Sequence, residues 1–206
     1  MSSFKAKYHV GDLVIRAEDI RLALLLESPY AAEVRHKHPL AGPSGKSVMK
    51  FFARHLACFK EWDQEVPLGC QLLSRGYSRI ALLNCCHYPM DRSAYCPADY
   101  TSHKHTIDGW AVLRSSPSSR RRRNRRHEQL ERELIAGLEK RLQLLPQTSL
   151  LIPCGSVARV LLAKCAPGKA AVYGQTVPHP SRNQWQGKRN FGDIDDFIKT
   201  VRRQVQ

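Results

Sequence analysis

The chain has 206 residues, enough for one domain with its own core and 42% hydrophobic, as in an ordinary globular protein. No apolar run approaches the ~18 residues that span a bilayer, and the start MSSFKAKYHVGDLVI is too polar for a signal peptide, so a soluble, cytoplasmic protein is expected. Thirty-three Lys and Arg against eighteen Asp and Glu leave a formal charge of +15, which points to a polyanionic partner, most simply nucleic acid.

The first strong element is RLALLLE (21–27), a short all-apolar run that reads as a buried strand. Pro29 biases Ser28 away from helix and ends it. GKSVMKFFARHLACF (45–59) then places Val48, Phe51, Phe52 and Leu56 at helical spacing. RIALLN (79–84) is a second strand, followed by a long exit loop. Ser115 to Arg126, SSPSSRRRRNRR, is a low-complexity cationic loop or frayed helix start, with six Arg in its last seven residues. Its plain reading is a solvated charge run, and its functional reading is an arm that contacts phosphates. HEQLERELIAGLEKRLQLL (127–145) continues it as a helix. SLLIPCG (149–155) is a third strand leading into a short helix, SVARVLLAKC. KAAVYGQTVP (169–178) is a fourth strand with its exit. DIDDFIKTVRRQV closes as a helix, with Asp in its first turn and Arg in its last, as the helix dipole favours.

Strands alternating with helices predict a single α/β domain over 1–206: a three-layer α/β/α sandwich on a short, mainly parallel sheet of about four strands. Ligands of such sheets bind beyond the C-terminal strand ends. The residues just after each strand therefore carry the functional expectation.

Seven cysteines with no secretion signal are expected to be reduced thiols. A metal set drawn from Cys85, Cys86, His87, Cys96, His103 and His105 has no C-x-x-C pair and fits no standard zinc spacing, so no metal is expected. Gly45-Lys46-Ser47 resembles the end of a phosphate-binding P-loop, but Leu40 stands where its first glycine belongs and no strand runs straight into it. PSG ahead of an apolar-periodic run is instead a helix start.

Taken together, the strand ends resemble the uracil-DNA glycosylase superfamily, from about Leu22 to about Trp185. LLLESPYAAEVRHKHPLAGPSGKSVM is similar to its first motif, IALLNCCHYP to its second strand, LLIPCGSVA to its third strand and glycine turn, and VPHPSRNQW to its His-Pro-Ser motif. The resemblance implies a DNA-base glycosylase that cleaves the N-glycosidic bond of uracil or another damaged or modified base in DNA repair. The alternative is a catalytically inactive nucleic-acid-binding member of the same fold.

The residue types suit that chemistry. Breaking the bond builds positive charge on the sugar and negative charge on the departing base. Glu27 is the matching carboxylate for the sugar or an attacking water, and His179 the matching donor for the base anion. Asn84 offers a donor and an acceptor to a base edge. Ser28, Pro29, Tyr30 and Leu40 would wall the pocket. Lys46, Ser47, Ser181, Arg182, Arg120, Arg121, Arg122, Arg123, Arg125 and Arg126 would bind DNA around a flipped nucleotide. Leu40 stands where the family usually has a stacking phenylalanine, Leu26 replaces the first glycine, and Ser28 takes the place of an aspartate found in some relatives. Tyr30 matches a tyrosine that some relatives use to exclude the thymine methyl. The iron–sulfur cluster of other relatives is not expected, because Tyr88 stands at a cluster cysteine. The resemblance thus implies a monomer that needs no cofactor, binds single- or double-stranded DNA and no membrane, and is nucleoid-associated if bacterial.

Overall fold

The computed structural model describes residues 2–118, 124–166, 168–187 and 191–206. Four strands form one sheet in the order β2-β1-β3-β4: β1 (Leu22–Leu26), β2 (Ile80–Asn84), β3 (Leu150–Pro153) and β4 (Ala171–Val172). All three pairings are parallel, with Leu22 opposite Ile80 and Leu150. An isolated antiparallel bridge between Leu13 and Leu82 borders β2. The protein is a three-layer α/β/α sandwich.

The alternation of each strand sorts its side chains between two cores. Leu22, Leu24, Leu26, Ile80, Leu82 and Ile152 face one core, packed by Met49 and Phe52 of α3 (Pro43–His55), Leu72 of α4 (Leu68–Arg75) and Phe197 of α8 (Ile194–Val205). Ala23, Leu25, Ala81, Leu83 and Leu151 face the other, packed by Leu138 of α6 (Arg125–Leu142) and Leu161 of α7 (Ser156–Leu162). Strands buried on both faces favour apolar residues throughout, hence LALLL in β1 and IALL ahead of the buried Asn84 in β2.

Several elements depart from the sequence reading. The expected exit loop of β2 is largely a helix, α5 (Pro97–Ser115), which opens on Pro97 at its first turn and is non-helical at His103. Its apolar residues Ile107, Trp110 and Leu113 meet Phe4 and Tyr8 of α1 (Ser2–Tyr8) in a third cluster. Short α2 (Ala31–His36) and α4 also lie in stretches that carried no predicted element. The fourth strand shrinks to Ala171–Val172, with pairing resumed at the Cys154–Val177 bridge. In the cationic segment α5 ends at Ser115 and α6 starts at Arg125, capped by the Asn124 side chain. All seven cysteines are free thiols. No helix among the described residues is long and apolar enough to cross a membrane.

Candidate functional site

At the C-terminal end of the sheet, the segments leaving β1 and β4 enclose a cavity of about 290 Å³. Leu26, Glu27, Ser28, Pro29 and Tyr30 line it from the β1 exit, and His179, Ser181 and Arg182 from the opposite loop. β1 must end there because Pro29 has no N–H to continue the ladder. His179 reaches the cavity because Val177 is still tethered to the sheet, with Gly155 N–H donating to its carbonyl at 2.8 Å. Gly155 has φ of +92°, and a Cβ there would lie 2.9 Å from the His179 Cβ, so the turn after β3 has to be glycine.

Glu27 is not alone. Arg114, in the last turn of α5, donates through Nε to Glu27 Oε1 and through Nη1 to Asp91 Oδ2, the latter at 2.6 Å. Asp91 and Arg114 both line the cavity. Burial pushes the Asp91 carboxyl up, but the bonds from Ser93 and Arg114 outweigh it and hold the group below its usual range. The cavity thus contains two carboxylates bridged by one guanidinium.

His179 has a fixed tautomer. Ser181 N–H donates to its Nδ1 at 3.2 Å, so that nitrogen is an acceptor and the ring proton of the neutral form sits on Nε2. Burial lowers the His179 pKa, with Glu27 acting in the opposite direction. A neutral imidazole with an N–H to donate can stabilise negative charge that develops on a bound oxygen.

The apolar wall is held under strain. Leu40 has φ of +52° and is only 1% exposed. A left-handed non-glycine residue costs on the order of 1–2 kcal/mol. Two contacts fix it. Its N–H donates to Glu33 Oε1 at 2.6 Å, and its carbonyl accepts from Gly69 N–H at 3.1 Å. A Cβ on Gly45 would stand 1.9 Å from the Leu40 carbonyl oxygen. The glycine of the P-loop-like stretch therefore makes room for this turn. Glu33 also accepts from Tyr30 N–H at 2.7 Å, so one carboxyl ties Tyr30 to Leu40. Burial raises the Glu33 pKa to about 7, against these two bonds. The Tyr30 hydroxyl pairs with Ser93 Oγ at 2.9 Å, and Ser28 Oγ accepts from Met90 N–H at 3.3 Å.

Asn84 does not line the cavity. It lies opposite Leu26 in the sheet register, on the Leu26 face, and is fully buried. Its backbone is clamped: Asp12 Oδ1 accepts from its N–H at 3.2 Å, and Arg141 Nη1 donates to its carbonyl at 2.8 Å. Arg141 also bonds both Asp12 carboxylate oxygens at 2.8 Å. Among the described residues, neither Oδ1 nor Nδ2 of Asn84 has a hydrogen-bond partner. A buried amide with nothing to bond costs about 1–3 kcal/mol, a sign that stability did not select it.

No protein-family model and no curated protein matches this chain.

The expected phosphate contacts separate into groups. Arg182 lines the cavity in a left-handed pair with Asn183, at φ of +53° and +56°. Lys46 is exposed outside the cavity, 3.7 Å from Glu65. Ser47 is 2% exposed, its hydroxyl turned into the core side of α3, so it is not available to a surface phosphate. Arg125 and Arg126 open α6, and Arg126 Nη2 donates to Thr106 Oγ1 at 3.3 Å. Arg120, Arg121, Arg122 and Arg123 lie outside the described residues.

Two wider hollows flank the cavity. One, of about 520 Å³, shares Glu27, Asp91 and Arg114 with it, and the other, of about 540 Å³, shares His179. Together they form a trough across the C-terminal sheet edge. Sequence reading missed Asp91, Arg114, Glu33, Asp12 and Arg141. Of these only Glu33 lies within a strand-end motif, and Arg114 is 87 residues from Glu27, so only folding joins that pair.

Proposed function

We propose that the protein is a DNA-base glycosylase that hydrolyses the N-glycosidic bond of uracil or another altered base. The observation that carries this reading is the convergence of Glu27 and neutral His179 on one cavity at the C-terminal end of a parallel sheet. At about 290 Å³ the cavity is at the small end of ligand pockets, suited to a single base. The trough on either side suits the strand from which that base is extruded, with Arg92, Arg182 and Arg159 along its length.

In this mechanism the base enters against Leu40 and Tyr30. As the bond to the sugar breaks, Glu27 stabilises the cationic sugar and orients water toward it. Water supplies hydroxide to the sugar carbon, and its remaining proton accompanies the released base. His179 donates its Nε2–H to the base oxygen where negative charge collects. Arg114 is a positioning residue whose guanidinium holds the Glu27 carboxylate in place. Asn84 reads the base edge if the Leu26 wall opens toward it, and its two unpaired amide atoms supply the donor and acceptor needed.

The test is purified protein on oligonucleotides carrying uracil, hypoxanthine or xanthine, scored for abasic sites. Wild type is expected to release at least one of these bases. Glu27→Gln and His179→Ala are each expected to lower the rate by about 10²–10³. Absence of release from every substrate, with salt-dependent DNA binding retained, would overturn the enzyme reading in favour of a binding module.

A further inference from the structure

A second cluster of chemically active side chains lies apart from the cavity, where the turn before Leu40 meets α4. His36, His38 and Cys70 each offer one ligand atom, and these atoms all lie within 4.8 Å of one another. We propose that His36, His38 and Cys70 form a divalent metal site of the zinc class, with its fourth position open to solvent.

Three independent features support it. The first is distance. Zn–N bonds of about 2.0–2.1 Å and a Zn–S bond of about 2.3 Å at tetrahedral angles set neighbouring N and S atoms roughly 3.6 Å apart. His38 Nε2 and Cys70 Sγ are 3.9 Å apart, within a few tenths of an ångström of that spacing, and the His36 ligand atom lies within 4.8 Å of both. The second is orientation. His38 Nδ1 is 3.1 Å from the Pro39 carbonyl, which can only accept, so Nδ1 carries the proton and the Nε2 lone pair faces Cys70. Metal-binding histidines are commonly held this way, with the far N–H on a backbone carbonyl. The third is the backbone. Lys37, between the two histidines, has φ of +63°, and its ammonium turns away to the Ala6 and Lys7 carbonyls at 2.9 and 2.6 Å. This kink brings His36 and His38 together and removes the intervening positive charge. His38 is buried and Cys70 half-buried, while exposed His36 leaves an entry path.

The set is a His-x-His pair and a cysteine 32 residues further on, which is why no standard zinc spacing announces it. It shares no residue with the thiols and histidines grouped by sequence around Cys85 and Cys96. A bound ion would tie the turn ahead of Leu40 to α4, next to the existing bond from Gly69 N–H to the Leu40 carbonyl.

The test is Co²⁺ titration of the full chain after removal of metals by a chelator, followed by absorption spectroscopy. One equivalent is expected to bind with a thiolate-to-cobalt band in the near ultraviolet and to be displaced by Zn²⁺. His36→Ala, at an exposed position where folding is undisturbed, is expected to weaken binding at least tenfold. Cys70→Ser is expected to abolish the band, whereas Cys58→Ser and Cys96→Ser, at the exposed thiols, leave it in place. Absence of the band in wild type, its persistence at full affinity in His36→Ala, or its loss with Cys58 or Cys96 would each overturn the site. His36→Ala decides the matter even if Cys70→Ser does not fold.

Discussion

Asn84 is the residue at which stability and the proposed function separate most clearly. It ends a strand that is otherwise apolar, it is fully buried, and both its amide atoms lack a hydrogen-bond partner among the described residues. The fold tolerates this cost although leucine would fill the place without it. Asn84→Leu is therefore expected to leave the protein as stable as wild type or about 1–2 kcal/mol more stable in urea unfolding. The same variant is expected to lose base release. Marked destabilisation would mean that the amide is satisfied in solution and is a structural residue. The sequence marked Asn84 as the polar end of a strand, but its isolation was not legible there. That isolation follows from its place on the core face beside Leu26, while Asp12 and Arg141 bond its backbone and not its amide.

At the scale of elements, the turn from Tyr30 to Leu40 depends on Glu33 in the first turn of α2. Its carboxyl accepts the N–H of both ends of the cavity wall. Burial raises the Glu33 pKa from 4.5 to about 7, so the protonated form is the one that folding favours. Its contribution to stability is present in full below about pH 4.5 and is lost as the pH rises through about 7, an effect of roughly 3 kcal/mol. Glu33→Gln is expected to flatten this part of the stability–pH profile measured by urea unfolding between pH 4.5 and 8. A profile identical to that of wild type would remove Glu33 from the account.

The four strands and helices α3, α6, α7 and α8 were legible because an apolar run or a helical period marks each of them. Helix α5 was not. Its buried residues occupy only its second half, and its backbone breaks at His103, so no single stripe runs along it. Missing α5 also meant missing Arg114, the partner of Glu27.

For the whole molecule, the charge of +15 is the property most open to measurement. A cationic protein bound across several phosphates releases counterions, so its affinity for DNA falls with salt by a slope of about 0.9 per phosphate contacted. Replacing Arg120, Arg121, Arg122 and Arg123 by serine is expected to reduce the slope on duplex DNA by about 3–4. A slope that does not change would show that the run makes no phosphate contact, leaving the trough residues to account for binding.

The sequence by itself determined the layer architecture and the strand-end residues. Period and hydrophobicity are local quantities, and burial on both faces imposes them on β1, β2 and most of β3, though not on the exposed β4. It marked Glu27, Tyr30, Leu40 and His179 for one cavity, where the structure brings them together. It also placed Ser47 and Asn84 at the site, and both are buried away from the cavity surface. Only the tertiary structure decided that Arg114 bridges Glu27 and Asp91, that Glu33 joins the two ends of the wall, and that His36, His38 and Cys70 meet. These contacts join residues far apart in the chain, or set side-chain directions by a single left-handed turn. Neither leaves a periodic trace in the sequence.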